Sequence, residues 1–235
     1  MTPDDLRYLR RALALARRGL GRTHPNPAVG AVVARDGVVV GEGFHPRAGE
    51  PHAEIFALRA AGERARDATL YVSLEPCAHH GKTPPCADAV IAAGIARVVF
   101  ASLDPNPLVA GRGLARLRDA GVAVEHGALA DQEARLNEAW RHWMATRRPF
   151  VTLKLAASLD GKIATRTGHS QWITGEAARR DVHRLRARQD AILTTAATVL
   201  ADDPALTARA RGGRDPRRVI ADPCLRTAAE AKIYA

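Results

Sequence analysis

From Pro51 onward the sequence alternates between helical and strand periodicity, and this alternation restricts the fold more than any other feature of the chain. The spacing predicts helices over about 52–63, 86–93, 112–120 and 130–145, with strands over 69–74, 97–102 and 122–125. Gly62, Gly94 and Gly121 fall where those helices should stop, as glycines that adopt a left-handed conformation do. Repeated strand–helix units imply a mostly parallel central sheet with helices on its faces, a three-layer α/β sandwich. Ahead of this region, Thr2 is an N-cap candidate, followed by Pro3, two acids and apolar residues at helical spacing that end near Gly19. Strands at 29–34 and 38–40 flank Asp36-Gly37, a hairpin turn signal, so the sheet should begin with an antiparallel pair.

Around Arg147-Arg148-Pro149 the pattern restarts, which divides the chain into domains 1–146 and 147–235. The second region should hold a strand in PFVTLKLAAS, a polar loop over 160–170, a helix over 174–188 and strands at 191–195 and 217–221. These are few elements for a self-sufficient α/β domain, so this region reads as the N-terminal portion of a larger one.

The hydrophobic content of 46% is that of a globular protein. No run of about 18 uninterrupted apolar residues is present, and the start MTPDDLRYLR lacks the order of a secretory signal, so a cytoplasmic location with no membrane contact is expected. A formal charge of +10 raises the question of a nucleic-acid partner. Its carriers are nearly all Arg spread along Ala-rich helices, the pattern of solvated helix faces, and no nucleic-acid partner is expected. Three cysteines do not suggest a disulfide framework. Cys77 and Cys86 lie in one loop rich in His, Gly and Pro, whereas Cys224 stands alone.

That pair, with PHAEIFALRAAG, carries the chemistry. His52 and Glu54 stand two residues apart in the first turn of a helix, with Pro76-Cys77 and Pro85-Cys86 following. Three N and S donors are what a catalytic Zn²⁺ takes, leaving a fourth position for water, and a nearby unbound carboxylate moves protons. His52, Cys77 and Cys86 are therefore the candidate zinc ligands and Glu54 the catalytic acid/base, in the H-x-E plus P-C pattern of zinc deaminases. A helix start at Cys86 should favour its thiolate. A structural zinc site would want a fourth protein ligand, for which His79 and His80 are available, and a redox pair would favour C-x-x-C spacing.

The segments THPNPAVGAVV, GEGFHPRAGEPHAE, YVSLEPCAHHGKTPPC, DPNPLVAGRG and LKLAASLDGKIA, with SQWIT beyond, closely resemble the bifunctional riboflavin-biosynthesis deaminase/reductase family. The resemblance runs over essentially the whole chain and implies a cytidine-deaminase-like domain followed by part of a dihydrofolate-reductase-like domain. It implies zinc-dependent deamination of a small phosphorylated substrate, 2,5-diamino-6-ribosylamino-4(3H)-pyrimidinone 5′-phosphate, and NADPH-dependent reduction of the ribosyl group. By resemblance, Asn26, His45, His79 and Lys82 contact the deaminase substrate. Positions matching the family's NADPH contacts are Ala156, Trp172, Thr198 and Asp202, and those matching its reductase-substrate contacts are Ser170, Arg186, Leu206 and Arg209. The chain ends at IYA, before the later strands and glycine-rich segment of that family, so deamination without efficient reduction is expected of it alone. The resemblance and the exposed sheet edges also favour a homo-oligomer. The competing expectations are a nucleoside or tRNA deaminase and a non-catalytic binding module.

Overall fold

The computed structural model describes residues 1–79, 84–107, 110–210 and 212–235, in two compact units, Met1–Val151 and Thr152–Ala235. Helix α1 (Pro3–Ala16) begins with a full capping box. The Thr2 hydroxyl accepts from the Asp5 N–H, and the Asp5 carboxylate accepts from the Thr2 N–H. Strands β1 (Gly30–Arg35) and β2 (Val38–Phe44) follow, joined by Asp36 and Gly37 at φ 50° and 75°, the two positive values that a tight type I′ hairpin requires. Then come α2 (Ala53–Ala61), β3 (Thr69–Val72), α3 (Cys86–Ala92), β4 (Arg97–Phe100), α4 (Arg112–Asp119) and β5 (Ala123–His126). Gly62, Gly94 and Gly121 all carry positive φ just beyond helices, as expected.

The sheet order is β2-β1-β3-β4-β5. It is mixed, not mostly parallel: β1 runs antiparallel to both β2 and β3, while β3, β4 and β5 are parallel. The opening hairpin inserts β1 beside β3, which the helix–strand alternation further along the chain could not reveal. Strand alternation divides the core into two layers. Ala31, Val33, Leu70, Val72, Val98 and Phe100 face α2, α3 and α4, whereas Val32, Ala34, Tyr71 and Val99 face Tyr8, Leu9 and Ala12 of α1.

The predicted helix over 130–145 is two helices, α5 (Ala130–Leu136) and α6 (Glu138–Thr146). Asn137 breaks the run at φ −105°, ψ 24°, and its amide leaves the helix to bond the backbone of Ala28. At the junction of the two units the expected strand over 149–158 is not formed: residues 151–158 have no regular structure, and Val151, Leu153 and Leu155 are largely exposed. Their alternation is that of a strand, but a strand exists only by pairing, and no neighbouring strand is supplied among the described residues. Helix α7 (Glu176–Ala187), strand β6 (Ala191–Thr195), helix α8 (Ala196–Asp202) and strand β7 (Arg217–Ala221) complete the second unit, with β6 and β7 parallel. Helix α8 was absent from the sequence expectation; Thr195 caps it by accepting from the Thr198 N–H. The buried apolar residues described in this unit are Ala196, Val199, Ala208, Pro216 and Ile233.

No helix among the described residues is long and apolar enough to cross a membrane.

Two constraints lock the first unit. Asp5, which is buried, accepts from Nη1 and Nη2 of Arg97 at 2.8 and 2.9 Å and from the Tyr71 hydroxyl at 2.9 Å, tying α1 to β3 and β4. The Arg97 guanidinium holds the Asp5 carboxyl well below the usual carboxylate range, while burial and Asp5 push Tyr71 up to about 12. The second is backbone contact: a Cβ on Gly43 would lie 2.5 Å from the Ala53 carbonyl oxygen, and one on Gly41 2.2 Å from that of Ala57. Helix α2 therefore rests directly on β2.

Because the folded carboxyl of Asp5 titrates below its ordinary value of 3.8, its stabilisation is complete above that pH and is lost as pH falls below it. Asp5→Ala should lower the unfolding free energy by about 3 kcal/mol at neutral pH by leaving Arg97 without its buried partner. Urea unfolding between pH 7 and 3 should show the two proteins converging only below about pH 4; a gap independent of pH would contradict the assignment. Gly43→Ala should cost about 1–3 kcal/mol through overpacking and lower zinc retention by displacing the start of α2.

Candidate metal centre and pocket

The sheet order brings the site together. Strands β3 and β4 are parallel, so the segments leaving their carboxyl ends, Ser73–Cys77 and Ala101–Asn106, lie side by side. Antiparallel β1 starts at this same end, where the Ser73 N–H donates to the Gly30 carbonyl, and β2 finishes there, delivering His45. Helices α2 and α3 begin there too, at Ala53 and Cys86. Among the described residues, each predicted deaminase residue lies at or next to one of these termini.

The ligand atoms of His52, Cys77 and Cys86 lie within 4.8 Å of one another. Nδ1 of His52 is 3.2 Å from Sγ of Cys86 and 3.6 Å from Sγ of Cys77, and the Cys86 N–H donates to Cys77 Sγ at 3.4 Å. Cys86 is buried and Cys77 half-buried, whereas Cys224 is exposed. The Cys77 thiol is held well below the usual thiol range by hydrogen bonding from Cys86 and then from His52. Cys86, the donor in that pair, is pushed up by the bond and by burial. Holding one thiolate already formed between a thiol and an imidazole suits a cation that displaces the protons shared among them.

Glu54 lies beside this cluster, buried, with its Oε2 lacking a hydrogen-bond partner among the described residues. Burial pushes its carboxyl up to about 7, against the opposing effect of His52. An unpartnered buried carboxylate oxygen is costly unless something absent from the protein itself takes the bond. The donor set of one nitrogen and two sulfurs, with the orphaned carboxylate alongside, fits a catalytic zinc site.

His52, Cys77 and Glu54 line a cavity of about 430 Å³. Asn26, His45 and His79 also face it, whereas Lys82 lies outside the described residues. His45 is buried and its ring stands edge-on to that of His52, with centroids 5.3 Å apart. Its Nε2 is 3.1 Å from the Asn26 side-chain nitrogen and its Nδ1 is 3.0 Å from the Pro51 carbonyl. Both contacts are made at once when Asn26 donates to Nε2 and Nδ1 donates to Pro51, which is a neutral imidazole; burial lowers the His45 pKa in the same sense.

Sequence reasoning missed several residues of this pocket. Glu75 is buried and accepts from the N–H groups of Asp104, Gly111 and Leu114, fastening the segment before Cys77 to the loop after β4 and to α4. Asp104 lines the cavity with its carboxyl pushed up to about 6, chiefly by burial. Trp140, Trp143 and Met144 of α6 and then Arg147 form another wall. Glu75 adjoins Pro76-Cys77 and Asp104 opens DPNP, so both lay within recognised motifs; the α6 wall left no local signal.

The residues assigned to the second unit are only partly brought together. Arg186 donates to the Thr207 carbonyl at 2.6 Å and Arg209 to the Thr207 hydroxyl at 3.2 Å, so these two and Leu206 gather around one residue. Trp172 is 71% exposed, with the Arg179 guanidinium 4.7 Å from its ring centre. Thr198 and Asp202 lie on α8 and are exposed, while Ala156 and Ser170 are half-buried in irregular segments. No hydrogen bond among the described residues joins Trp172 or Asp202 to the Arg186–Arg209 group.

Zinc analysis should give one ion per chain, falling below about a tenth in Cys86→Ser, since a lost thiolate ligand removes most of the binding free energy. Cys224→Ser should retain the full complement.

Residues 2–102 match the cytidine and deoxycytidylate deaminase zinc-binding region, and residues 149–235 match the RibD C-terminal domain. The chain is 61% identical over 206 residues to riboflavin biosynthesis protein RibD of Escherichia coli (strain K12), covering 88% of this chain and 56% of that one. It is 50% identical over 230 residues to RibD of Aquifex aeolicus, covering 97% of this chain and 65% of that one. Among solved structures, Acinetobacter baumannii RibD superposes with a TM-score of 0.91 at 50% identity, covering 98% of this chain and 66% of that one. A Thermotoga maritima diaminohydroxyphosphoribosylaminopyrimidine deaminase/5-amino-6-(5-phosphoribosylamino)uracil reductase gives 0.88 at 48% identity, covering 92% and 62%. The chain thus spans about three-fifths of the length of these relatives, and the likeness extends through both of its units. With a deaminase zinc-binding region and a RibD C-terminal segment in the same order, and 48–61% identity to these proteins over the aligned residues, the chain belongs to the RibD family of riboflavin-biosynthesis proteins.

Proposed function

We propose that the first unit deaminates 2,5-diamino-6-ribosylamino-4(3H)-pyrimidinone 5′-phosphate hydrolytically, releasing the ring 2-amino group as ammonia, as a step of riboflavin biosynthesis. The observation that carries this reading is the buried Glu54 carboxyl, unpartnered at Oε2 and poised near neutrality beside a His-Cys-Cys cluster. Zinc held by His52, Cys77 and Cys86 would supply activation of water near neutral pH. Glu54, unpartnered at Oε2, would be the group that accepts a proton from water and delivers protons to the ring nitrogen and the departing amine. A group with a pKa near 7 is suited to both directions of transfer.

The other residues bind and orient. Asn26 and His45, bonded to each other, present a fixed polar edge to the ring, and His79 and Lys82 serve the ribose phosphate. The cavity of about 430 Å³ suits a phosphorylated nucleoside-sized molecule. A small phosphorylated pyrimidine as partner, a homo-oligomeric state and a cytoplasmic location complete this reading. The second unit belongs, in the same reading, to the NADPH-dependent reduction of the ribosyl group. Ser170, Arg186, Leu206 and Arg209 would serve its substrate, and Ala156, Trp172, Thr198 and Asp202 the cofactor. The Arg186–Thr207–Arg209 cluster is the part of that site supported by direct contacts.

Glu54→Gln keeps the shape of the side chain and removes its proton exchange. Ammonia release from the diaminopyrimidine phosphate should fall by at least about 100-fold while zinc per chain is unchanged. Equal release from both proteins would refute the role of Glu54.

A further inference from the structure

The break between α5 and α6 leads beyond the residues already assigned. Asn137 sits at this break, buried, and its amide is fully engaged. Oδ1 accepts from the Ala28 N–H at 2.8 Å, while Nδ2 donates to the Ala28 carbonyl at 3.0 Å and to Glu133 Oε1 at 2.8 Å. A side-chain amide that pairs with both backbone groups of one residue replaces a strand neighbour, and so fixes that residue in position and direction. The orientation of the amide is itself fixed, because Glu133 can accept only from its nitrogen side.

Glu133 is 0% exposed and carries the second half of the arrangement. Its Oε2 accepts from the Ser102 hydroxyl at 2.6 Å and from Arg141, whose Nη2 also reaches the Ser102 hydroxyl and the Leu103 carbonyl. The same buried carboxylate thus holds the segment before β1 through Asn137 and the loop after β4 through Ser102 and Arg141. Both segments line the pocket: Ala28 follows Asn26-Pro27, and Leu103 precedes Asp104. Asn26 in turn bonds His45, whose ring lies against His52.

We infer that Asn137 is a positioning residue of the deaminase pocket, setting Asn26 and the Asn26–His45 pair through its two hydrogen bonds to Ala28. It touches no reacting group. Its effect is to keep Pro27 and Ala28 from relaxing away from the pocket, so that the polar edge formed by Asn26 and His45 is in place before substrate arrives. Preorganisation of this kind acts through residues behind the contact surface, whose loss commonly costs about 10–100-fold in function.

The inference rests on the functional reading proposed for this site, and the test separates the two. Steady-state ammonia release is measured for wild type, Asn26→Ala, Asn137→Ala and the double variant, with zinc content and circular dichroism recorded for each. Asn137→Ala should raise KM about 10-fold with kcat within about 3-fold and zinc unchanged, the signature of lost ground-state positioning. Adding Asn137→Ala to Asn26→Ala should cost less than about 2-fold more, because the two act on one contact. Asp5→Asn, which loosens a buried network away from the pocket, controls for stability alone and should leave KM unchanged. Losses that multiply in the double variant, or a KM shift in Asp5→Asn as large as in Asn137→Ala, would overturn the inference. A wild-type protein that releases no ammonia from this substrate overturns the functional reading itself, a failure distinct from multiplicative losses in an active enzyme.

Discussion

Direct backbone contact between α2 and the β2 edge of the sheet is the constraint on which the site depends. Gly41 and Gly43 leave no side chain between strand and helix, and Ala53, Ala57 and Ala61 keep the facing helix surface equally thin. This sets the depth at which α2 begins, and its first turn carries His52 and Glu54. Were these glycines replaced by larger residues, the helix would stand off the sheet and its N-terminus would no longer meet Cys77 and Cys86. Glu54 is itself buried, and burial is what raises its carboxyl toward neutrality.

Buried carboxylates organise the remainder, each in a different way. Asp5 is bound by an arginine and remains charged, welding α1 to the sheet. Glu75 collects three backbone N–H groups and ties the Cys77 segment to α4 and the loop after β4. Glu133 joins Asn137 and Arg141 behind the pocket. Glu54 alone among these has an oxygen without a partner, and it is the one at the metal ligands. A buried acid satisfied on all sides stabilises structure, whereas one left unsatisfied is available for chemistry.

The two units differ in how far their own contacts carry them. In the first, helices cover both faces of a five-stranded sheet. In the second, the parallel pair β6–β7 leaves Leu193 and Val219 exposed, although parallel sheets are ordinarily covered on both faces. The segment 151–158 has strand-like alternation without a strand partner. The family residues placed there are accordingly scattered, apart from those around Thr207.

The sequence by itself determined the local elements and the chemical class of the first site. Thr2 capping, the Asp36-Gly37 turn, the glycine helix ends and the order His52, Glu54, Cys77, Cys86 all depend on residues near one another in the chain, and local sterics and hydrogen bonding suffice to read them. Only the tertiary structure decided the sheet order, the mixed strand directions, and the break at Asn137. It likewise decided the α6 wall of the pocket and the absence of the strand over 149–158. Each of these turns on partners distant in sequence: Asn137 leaves its helix for Ala28, and β1 pairs with β3 across an intervening strand and helix. A strand likewise needs a neighbour that its own alternation cannot supply. Local propensity proposes an element, and long-range pairing determines whether it forms and where its side chains point.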